Sequence, residues 1–323
     1  MNKIAVAVVG AGHLGNYHLQ KYNGLPFAEI VGVADVIAER AKHAGDLYGC
    51  AAFDDYHELI GRTEAVSIAV PTVQHYAVAK DFLEAGVHVL LEKPAAATLA
   101  EAKALNDIAL RMDLVLQIGF VERFNPAIIA LEKALDKPVF IEAHRLHPFF
   151  TRGTDVDVIL DLMIHDLDII LKFVKSPLEN AEAVGVSVLS DRIDIANARL
   201  TFKSGCVANV TASRVTGKTL QKIRFFCLNG YHAVDYAKRK LVSLSKRING
   251  NENGDADIVQ NQADVKLHDP LEEEIRSFLE AVANRTPPLV SGEDALLSLD
   301  AAHRIIEKIK NPPEIGAAIS NES

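Results

Sequence analysis

A glycine-rich motif directly behind an apolar run is the feature that most constrains the fold of this chain. Ile4–Val9 has the composition of a buried strand, and Gly10-Ala11-Gly12-His13-Leu14-Gly15, which follows it, matches G-x-G-x-x-G. A helical pattern begins near Gly12, and this strand–helix context is what makes the motif informative. Gly10 allows the tight turn, Gly12 lets the backbone approach a pyrophosphate, and Gly15 lets the helix pack on the strand. The motif predicts a dinucleotide on a helix N-terminus; the alternative is a glycine-rich turn without a ligand.

An acidic residue at the end of the next apolar run bears on the choice of dinucleotide. Asp35 lies twenty positions after Gly15, where a carboxylate can accept hydrogen bonds from the adenosine ribose. It would repel a 2′-phosphate, and Val36 and Ile37 supply no cation. We therefore expect NAD, with NADP left open because Arg40 lies on the following helix. A plain helix N-cap is the other interpretation of Asp35, and it is compatible with the first.

Strand-like and helical segments alternate over the first part of the chain. The predicted strands are Ile4–Val9, Glu29–Ala34, Ala65–Val70, Val87–Leu91 and Leu114–Ile118. The predicted helices between them are Gly12–Lys21, Ala38–Leu47, His75–Ala85 and Leu99–Arg111. Nearly continuous apolar strands separated by helices indicate a parallel sheet covered on both faces. We predict a doubly wound α/β (Rossmann) domain over residues 1–120.

The pattern changes after Phe120. Helices are predicted at Pro126–Leu135, Val156–Val174, Pro270–Asn284 and Gly292–Lys310, and Arg247–Asp257 reads as a loop. Strands with alternating polarity are predicted at Val139–Leu146, Ala181–Leu189, Ile195–Phe202, Cys206–Ser213, Lys222–Leu228 and His232–Asp235. Such alternation is typical of antiparallel sheets with one covered face. We predict a second domain of the α+β class, residues 121–323, with a largely antiparallel open sheet.

Composition excludes several classes of function. The net charge of −9 argues against a nucleic-acid partner, which would need a basic surface. The three cysteines, far apart and odd in number, give neither a disulfide framework nor a metal-ligand spacing, so no metal is expected. There is no apolar stretch long enough to span a membrane, and the apolar N-terminus reads as a strand rather than a signal peptide. We expect a soluble cytoplasmic protein.

Two stretches after the glycine motif resemble a known family. They are Ala69-Val70-Pro71-Thr72 with His75, and Glu84-Ala85-Gly86-Val87-His88-Val89-Leu90-Leu91-Glu92-Lys93-Pro94. Together with Phe120-Val121-Glu122-Arg123-Phe124-Asn125-Pro126 they resemble the Gfo/Idh/MocA oxidoreductases, over almost the whole chain. That family binds a nicotinamide cofactor and oxidises or reduces sugars and their derivatives. The motifs and the resemblance place the cofactor against Gly10, Gly12, His13, Leu14, Gly15, Asp35, Pro71, Thr72, His75, Glu92 and Lys93.

The expected chemistry involves two further polar residues on an apolar helical segment. In Asp161-Leu162-Met163-Ile164-His165-Asp166, Asp161 and His165 are four apart and would share a helix face. Two polar groups there are costly unless they have partners. The spacing alone is only moderately informative, but the resemblance matches Asp161, His165 and Lys93 to the family's catalytic aspartate, histidine and lysine. Asp168 is expected to be structural, and the role of Asp166 stays open.

Oxidation of a secondary alcohol requires these residue types. Histidine titrates near neutrality and can take the hydroxyl proton as hydride leaves for the nicotinamide. Lys93 can hydrogen-bond the same oxygen and stabilise developing negative charge, while Asp161 orients His165 or holds the substrate. Whether Lys93 or His165 takes the proton is left open by the sequence. All three residues are therefore also expected to contact the substrate.

The identity of the substrate depends on weaker signals. Arg145 shares a strand face with Ala143 and His147, and its fork would suit a phosphate or carboxylate; a surface or interface arginine is equally compatible. Segments 121–126, 144–150 and 161–168 resemble the branch of the family that oxidises the 3-hydroxyl of UDP-N-acetylglucosamine-type sugars. A dehydrogenase of a free sugar or cyclitol is the first alternative. A reductase of a non-sugar carbonyl or imine is another.

Two expectations come from the architecture. Some proteins of this fold bind NAD(P) as sensors or co-regulators without chemistry, although the presence of Lys93, Asp161 and His165 favours an enzyme. An uncovered, apolar sheet face in the second domain would mark an interface between copies, as is common in the resembled family. We therefore expect a homodimer or homotetramer acting on a small-molecule sugar or nucleotide sugar.

Overall fold

The computed structural model describes residues 3–150, 156–248, 256–263, 265 and 268–311. The strands are β1 (Ile4–Val9), β2 (Ala28–Ala34), β3 (Ala51–Phe53), β4 (Ala65–Ile68), β5 (His88–Glu92), β6 (Leu116–Gly119), β7 (Pro138–Leu146), β8 (Leu178–Val186), β9 (Ile195–Phe202), β10 (Val207–Ser213), β11 (Leu220–Cys227), β12 (Gly230–Asp235), β13 (Lys240–Ile248) and β14 (Ala256–Gln262). The helices are α1 (His13–Gly24), α2 (Ala38–Tyr48), α3 (Thr72–Glu84), α4 (Leu99–Arg111), α5 (Pro126–Ala134), α6 (Ile164–Val174), α7 (Pro270–Asn284) and α8 (Gly292–Lys310).

The first sheet has six strands in the order β3-β2-β1-β4-β5-β6, and all its pairs are parallel. β4 and β6 are buried throughout, because helices cover both faces of the sheet. The order reverses between β1 and β4, which is the switch point of a doubly wound fold. The predicted parallel sheet is confirmed, and β3 is a short addition that the sequence pattern did not indicate.

The second sheet has eight strands in the order β14-β13-β12-β11-β7-β10-β9-β8. Within it β7 and β10 run parallel, whereas β11–β7, β10–β9, β8–β9 and β13–β14 are antiparallel. The predicted, largely antiparallel sheet is confirmed. Strands β13 and β14 were not predicted, and the predicted loop over Arg247–Asp257 is wrong at both ends, because residues 247–248 belong to β13 and residues 256–257 to β14. Residues 249–255 lie outside the described residues.

Strand β8 begins and ends three residues earlier than the pattern predicted. The prediction placed it at Ala181–Leu189, whereas the structure has Leu178–Val186. The backbone N–H groups of Val188 and Leu189 donate to Asp194 Oδ2, at 2.8 and 2.6 Å, instead of continuing the ladder. The carboxylate of Asp194 therefore ends the strand. The apolar side chains of Val188 and Leu189 give no sign of this strand end.

The chain divides into two compact units. Unit 1 contains Met1–Leu135 and His232–Leu299, and unit 2 contains Asp136–Tyr231 and Asp300–Ser323. In unit 1, apolar side chains of β1, α1 and α7 form one core cluster, with Val8, Leu19 and Phe278 fully buried. Asp269 caps α7 by accepting from the N–H groups of Leu271 and Glu272, with Pro270 in the first turn. The predicted boundary at residue 120 stays a prediction.

In unit 2, α6 packs on one face of β7, and Phe173 of the helix meets Phe225 of β11 edge to face, with ring centroids 5.4 Å apart. Ile141 and Ala143 on that face are fully buried. The other face carries half-buried or exposed side chains of mixed character, including Phe140 and Phe226 beside an Arg199–Asn209 hydrogen bond. The uncovered face is therefore mixed rather than apolar.

Candidate active site

The carboxyl end of the first sheet holds the glycine motif at the switch point. The N–H of Gly10 donates to Ala34 O at 2.7 Å, and the N–H of Ala69 donates to Val9 O at 2.8 Å. Gly10 has φ +94°, and a Cβ there would lie 2.5 Å from Ala69 O. Only glycine fits at this turn.

The other two glycines also take the places that the motif requires. A Cβ on Gly15 would overlap the carbonyl oxygen of Gly10, so α1 and the turn lie in close contact. A Cβ on Gly12 would have no atom within 4 Å, so this backbone faces open space. Gly12 is the N-cap of α1 and has no side chain to occupy the first-turn N–H groups. An open helix N-terminus of this kind fits a pyrophosphate; His13 and Leu14, both exposed, begin the helix.

Asp35 lies at the end of β2 with its carboxylate turned towards the glycine motif. Its Oδ2 accepts from the Ala11 N–H and its Oδ1 from the Ile37 N–H, both at 2.8 Å. Each carboxylate oxygen has a second lone pair for a ribose hydroxyl. The interpretation of Asp35 as the N-cap of α2 is wrong, because Ile37 occupies that position. Arg40 lies in the adjoining cleft, which Gly12, Asn16, Glu39 and His43 also line.

His75 connects the ends of the two strands on the other side of the switch point. It lies in the first turn of α3, which begins with Thr72 after the N-cap Pro71. Its Nδ1 lies 2.7 Å from Pro94 O and its Nε2 lies 2.9 Å from Val70 O. Burial lowers the pKa of His75, while the two carbonyls act in the opposite direction. The imidazole of His75 therefore contacts two backbone carbonyls. Contact with a cofactor stays a prediction for Pro71, Thr72 and His75.

Glu92 ends β5, and Lys93 follows it as a half-exposed residue. Glu92 turns its carboxylate inwards: Oε1 lies 2.9 Å from His18 Nε2, and Gly119 of β6 leaves the space that the carboxylate fills. His18 Nδ1 lies 3.0 Å from Ser67 Oγ, which is 2.7 Å from Tyr22 Oη. The side chain of Glu92 therefore belongs to a buried polar chain, and contact of Glu92 with a cofactor stays a prediction.

Sequence reasoning missed four residues around Glu92: His18, Ser67, Tyr22 and Glu274. A weak signal existed for two of them. His18 shares a helix face with Gly15, Leu19 and Tyr22, which are all buried. Glu274 precedes Ile275 on the buried stripe of α7. A titratable side chain on the apolar face of a helix is the signal that would have found both.

In unit 2, Asp161 and His165 lie on one continuous helical segment, and both are half-buried. Residues Ile159–Met163 form a π-helical turn that runs directly into α6. Such turns are rare and occur frequently at functional sites. The structure therefore keeps Asp161 and His165 on neighbouring turns of one segment but replaces the regular α-helix that the spacing predicted.

The start of this segment is fixed by the loop before β9. Asp157 Oδ1 accepts from the Ile193 N–H at 3.0 Å, and Arg214 Nη1 donates to Val156 O at 3.0 Å. Arg214 Nε also donates to Asp194 Oδ1 at 2.8 Å. Burial raises the pKa of Asp194, but hydrogen bonds from Ser190, Arg214 and the backbone outweigh it and hold this pKa well below its ordinary value.

Arg145 is buried with its guanidinium on Asp166. Its Nε donates to Oδ2 at 2.9 Å and its Nη2 to Oδ1 at 3.1 Å, and the two side chains are 4% and 0% exposed. This bidentate pair gives Asp166, whose role the sequence left open, a structural partner next to His165. Substrate binding by Arg145 stays a prediction, because its Nε and Nη2 already donate to Asp166. Asp168 is fully buried, as expected of a structural residue.

Comparisons with known proteins identify the family. The model described as "Oxidoreductase family, NAD-binding Rossmann fold" matches residues 4–120, and the GFO/IDH/MocA C-terminal domain matches residues 132–232. The chain belongs to the Gfo/Idh/MocA family. The predicted family, its NAD-binding Rossmann domain and the oxidoreductase class are therefore confirmed. A small-molecule substrate follows from the class.

Three proteins of known name show how far the similarity of this chain extends. The UDP-N-acetylglucosamine 3-dehydrogenase of Acidithiobacillus ferrooxidans is 38% identical over 306 residues, covering 94% of this chain and 97% of that protein. Its crystal structure superimposes with a TM-score of 0.89, covering 96% and 99% of the two chains. Myo-inositol 2-dehydrogenase of Thermotoga maritima is 27% identical, covering 91% and 92%. A levoglucosan dehydrogenase in complex with NADH and levoglucosan, 19% identical with a TM-score of 0.85 over 96% and 98%, shares the fold.

No helix among the residues with described placement is both long and apolar enough to cross a membrane.

Proposed function

We propose that this chain is an NAD-dependent dehydrogenase of a UDP-N-acetylglucosamine-type nucleotide sugar and that it oxidises the 3-hydroxyl. The observation that carries the proposal is the 38% identity to a UDP-N-acetylglucosamine 3-dehydrogenase, which extends over 94% of this chain. The two family matches, residues 4–120 and 132–232, contain the glycine motif and the lysine, aspartate and histidine that the proposed reaction needs. A sensor without chemistry would not need Lys93, Asp161 and His165 together.

The proposed reaction removes a proton from the hydroxyl oxygen and a hydride from the carbon that bears it. NAD, when bound, accepts the hydride on its nicotinamide ring. The residues expected to hold it are the glycine motif, through the open N-terminus of α1, and Asp35, through its remaining lone pairs. Because the Asp35 carboxylate would repel a 2′-phosphate, we propose NAD rather than NADP.

The chain itself handles the proton. Either His165 or Lys93 takes the hydroxyl proton, and the other hydrogen-bonds the same oxygen as negative charge develops on it. Asp161, on the same helical segment as His165, orients the imidazole or holds a substrate hydroxyl. The carbon–oxygen double bond forms as the electron pair of the C–H bond leaves with the hydrogen as hydride. The reaction therefore needs no reactant besides the sugar and NAD.

The test is NADH absorbance after NAD and the protein are mixed separately with UDP-N-acetylglucosamine, UDP-glucose, glucose and myo-inositol. A carbonyl trap removes the ketone and pulls an unfavourable equilibrium forward. We expect NADH with UDP-N-acetylglucosamine alone. NADH with myo-inositol alone would favour a cyclitol dehydrogenase, in line with the 27% identity to such an enzyme, and would overturn the nucleotide-sugar proposal.

Variants test the assigned residues. Lys93→Met and His165→Ala should each lower turnover by about 10³-fold while NAD still binds. Lys103→Met, an exposed lysine of α4, is the matched control and should leave turnover unchanged. Wild-type turnover in both site variants would refute the assignment. A pH–rate profile that loses its acid limb in only one of them would identify the proton acceptor.

We also propose that the chain forms a homodimer or homotetramer through the uncovered sheet face of unit 2. The half-buried Phe140 and Phe226 rings, 5.4 Å apart, lie there among paired polar side chains, a composition that suits an interface between folded subunits. Light scattering after size-exclusion should give a multiple of 35.1 kDa. A mass of one chain would refute the assembly without affecting the proposed reaction.

A further inference from the structure

A chain of four buried polar side chains runs beneath the carboxyl end of the first sheet. We call it the His18 network, and it consists of Tyr22, Ser67, His18 and Glu92. The contacts are 2.7 Å from Tyr22 Oη to Ser67 Oγ, 3.0 Å from Ser67 Oγ to His18 Nδ1, and 2.9 Å from His18 Nε2 to Glu92 Oε1. Three of the four residues are at most 1% exposed, and Glu92 is 8% exposed. Such a network is retained only if its members satisfy one another.

The His18 network joins the two parts of the sheet edge that the proposed reaction uses. His18 and Tyr22 lie on α1, whose N-terminus is the open end of the glycine motif. Ser67 lies on β4, and Glu92 is the last residue of β5, directly before Lys93. Gly119 on β6 provides the space in which the Glu92 carboxylate turns inwards. The orientation of Glu92 therefore fixes the strand end from which Lys93 extends.

The contacts of the His18 network allow one consistent order of donors and acceptors. Burial raises the pKa of Tyr22, so the tyrosine keeps its proton and can donate to Ser67. Ser67 can then donate to His18 Nδ1, and the remaining ring proton on Nε2 is donated to Glu92. In this arrangement every hydroxyl and ring proton of the network has an acceptor, and the chain ends on the Glu92 carboxylate.

Glu274 is a second buried carboxyl whose titration is affected by Glu92. It is fully buried on α7, and within the described part of the chain neither of its carboxyl oxygens has a hydrogen-bond partner. Burial, and then the charge of Glu92, raise the pKa of Glu274 well above its ordinary value. Glu274 therefore holds its proton to a higher pH than an ordinary glutamate, whereas the carboxylate of Glu92 has a ring nitrogen within hydrogen-bond distance. That ring nitrogen is Nε2 of His18.

We propose that His18 is a positioning residue for Lys93, acting through the hydrogen bond from its Nε2 to Glu92. The inference rests on the proposed role of Lys93 in the reaction. His18 touches neither substrate nor cofactor in this proposal. Its effect is to hold the Glu92 carboxylate in one orientation, and thereby to hold the backbone turn on which Lys93 stands.

Two amide variants separate the two ring nitrogens of His18. The amide N–H of His18→Gln reaches about as far as Nε2 and can still donate to Glu92. The amide of His18→Asn reaches only as far as Nδ1, on the Ser67 side. We expect His18→Asn to lose 10- to 100-fold in kcat, the size of effect that about 1 Å of misplacement produces. The KM for the sugar and the Kd for NAD should stay within about threefold, and His18→Gln should recover most of kcat.

A second readout does not depend on turnover. Hydrogen–deuterium exchange of the peptide covering residues 87–97 should be faster in His18→Asn than in wild type, and close to wild type in His18→Gln. Equal kcat values and equal exchange in the two variants would overturn the inference. If His18→Asn does not fold, Glu92→Gln and Glu92→Met make the second pair, since the amide keeps an acceptor for Nε2 and the thioether does not. Equal kcat and exchange in that pair would overturn it as well.

Failure of the proposed function gives a different pattern. It would show as no NAD-linked turnover in wild type, or as turnover that Lys93→Met does not lower, while the exchange difference between the His18 variants persists. In that case His18 would still position the end of β5, but not a catalytic lysine.

Discussion

Replacement of Glu274 by glutamine should stabilise the chain above pH 5, and increasingly so as pH rises. Glu274 is 0% exposed, lies on α7 with the buried residues Ile275, Phe278 and Leu279, and has a pKa raised first by burial and then by the charge of Glu92. In the unfolded chain the same carboxyl titrates near its ordinary value of 4.5. Above that pH the unfolded chain has released the proton and the folded chain still holds it.

The magnitude follows from this difference of one bound proton. Stability changes with pH by 2.303RT per proton, about 1.4 kcal/mol per pH unit. The unfolded state binds fewer protons, so the sign is a loss of stability as pH rises from 4.5 towards the raised pKa. Glutamine has nearly the same shape and does not titrate. For each pH unit within this window, Glu274→Gln should therefore gain about 1.4 kcal/mol on the wild type.

The assay is urea unfolding of the wild type and Glu274→Gln at intervals between pH 5 and pH 9, with similar m-values required of both. The matched control is Glu280→Gln, an exposed glutamate on the same helix, whose difference from wild type should be small and nearly independent of pH. The pH at which the Glu274→Gln difference stops growing reads the pKa of Glu274 in the folded chain. Parallel pH curves for wild type and variant, or a difference that shrinks with rising pH, would refute the reasoning.

Two further predictions test contacts described above. Asp35→Asn should weaken NAD binding by about tenfold, because one charge-assisted acceptor is lost, and should shift preference towards NADP; fluorescence titration with both dinucleotides measures this, and an unchanged preference would contradict the assignment. Arg145→Met should cost about 3–5 kcal/mol of unfolding free energy by leaving Asp166 buried without its partner, whereas Arg145→Met with Asp166→Leu should recover much of it. The exposed Arg199→Met serves as control in thermal unfolding, and a loss below about 1 kcal/mol in the Arg145 single variant would contradict the buried pair.

The first domain could be predicted closely because its signals are local. Apolar runs gave β1, β2 and β5 within a residue or two, and the helices between them followed from their periodicity and caps. The glycine motif marked the turn after β1, since only glycine tolerates φ +94° against Ala69. Helices α7 and α8 were predicted with their observed bounds, since proline, glycine and an aspartate cap mark their ends.

The misses have in common that the pattern of apolar residues within a segment does not show which hydrogen bonds its backbone makes. Strand β8 ends early because Asp194, several residues further along, captures the N–H groups of Val188 and Leu189. Strand β14 is polar in sequence and exists because β13 pairs with it. The Ile159–Met163 turn is π-helical although its apolar spacing is that of an α-helix. Periodicity reports which residues prefer the interior, and not which groups they meet there.

The sequence by itself determined the doubly wound sheet, the glycine-motif helix and the set of residue types for dehydrogenase chemistry. Only the tertiary structure decided the pairing of Arg145 with Asp166 and the contact of His18 with Glu92, which are 21 and 74 positions apart in the chain. Local preferences for helix or strand depend on neighbouring residues, whereas the burial of a charge requires a particular partner from elsewhere in the fold. For that reason the His18 network could be found only in the folded structure.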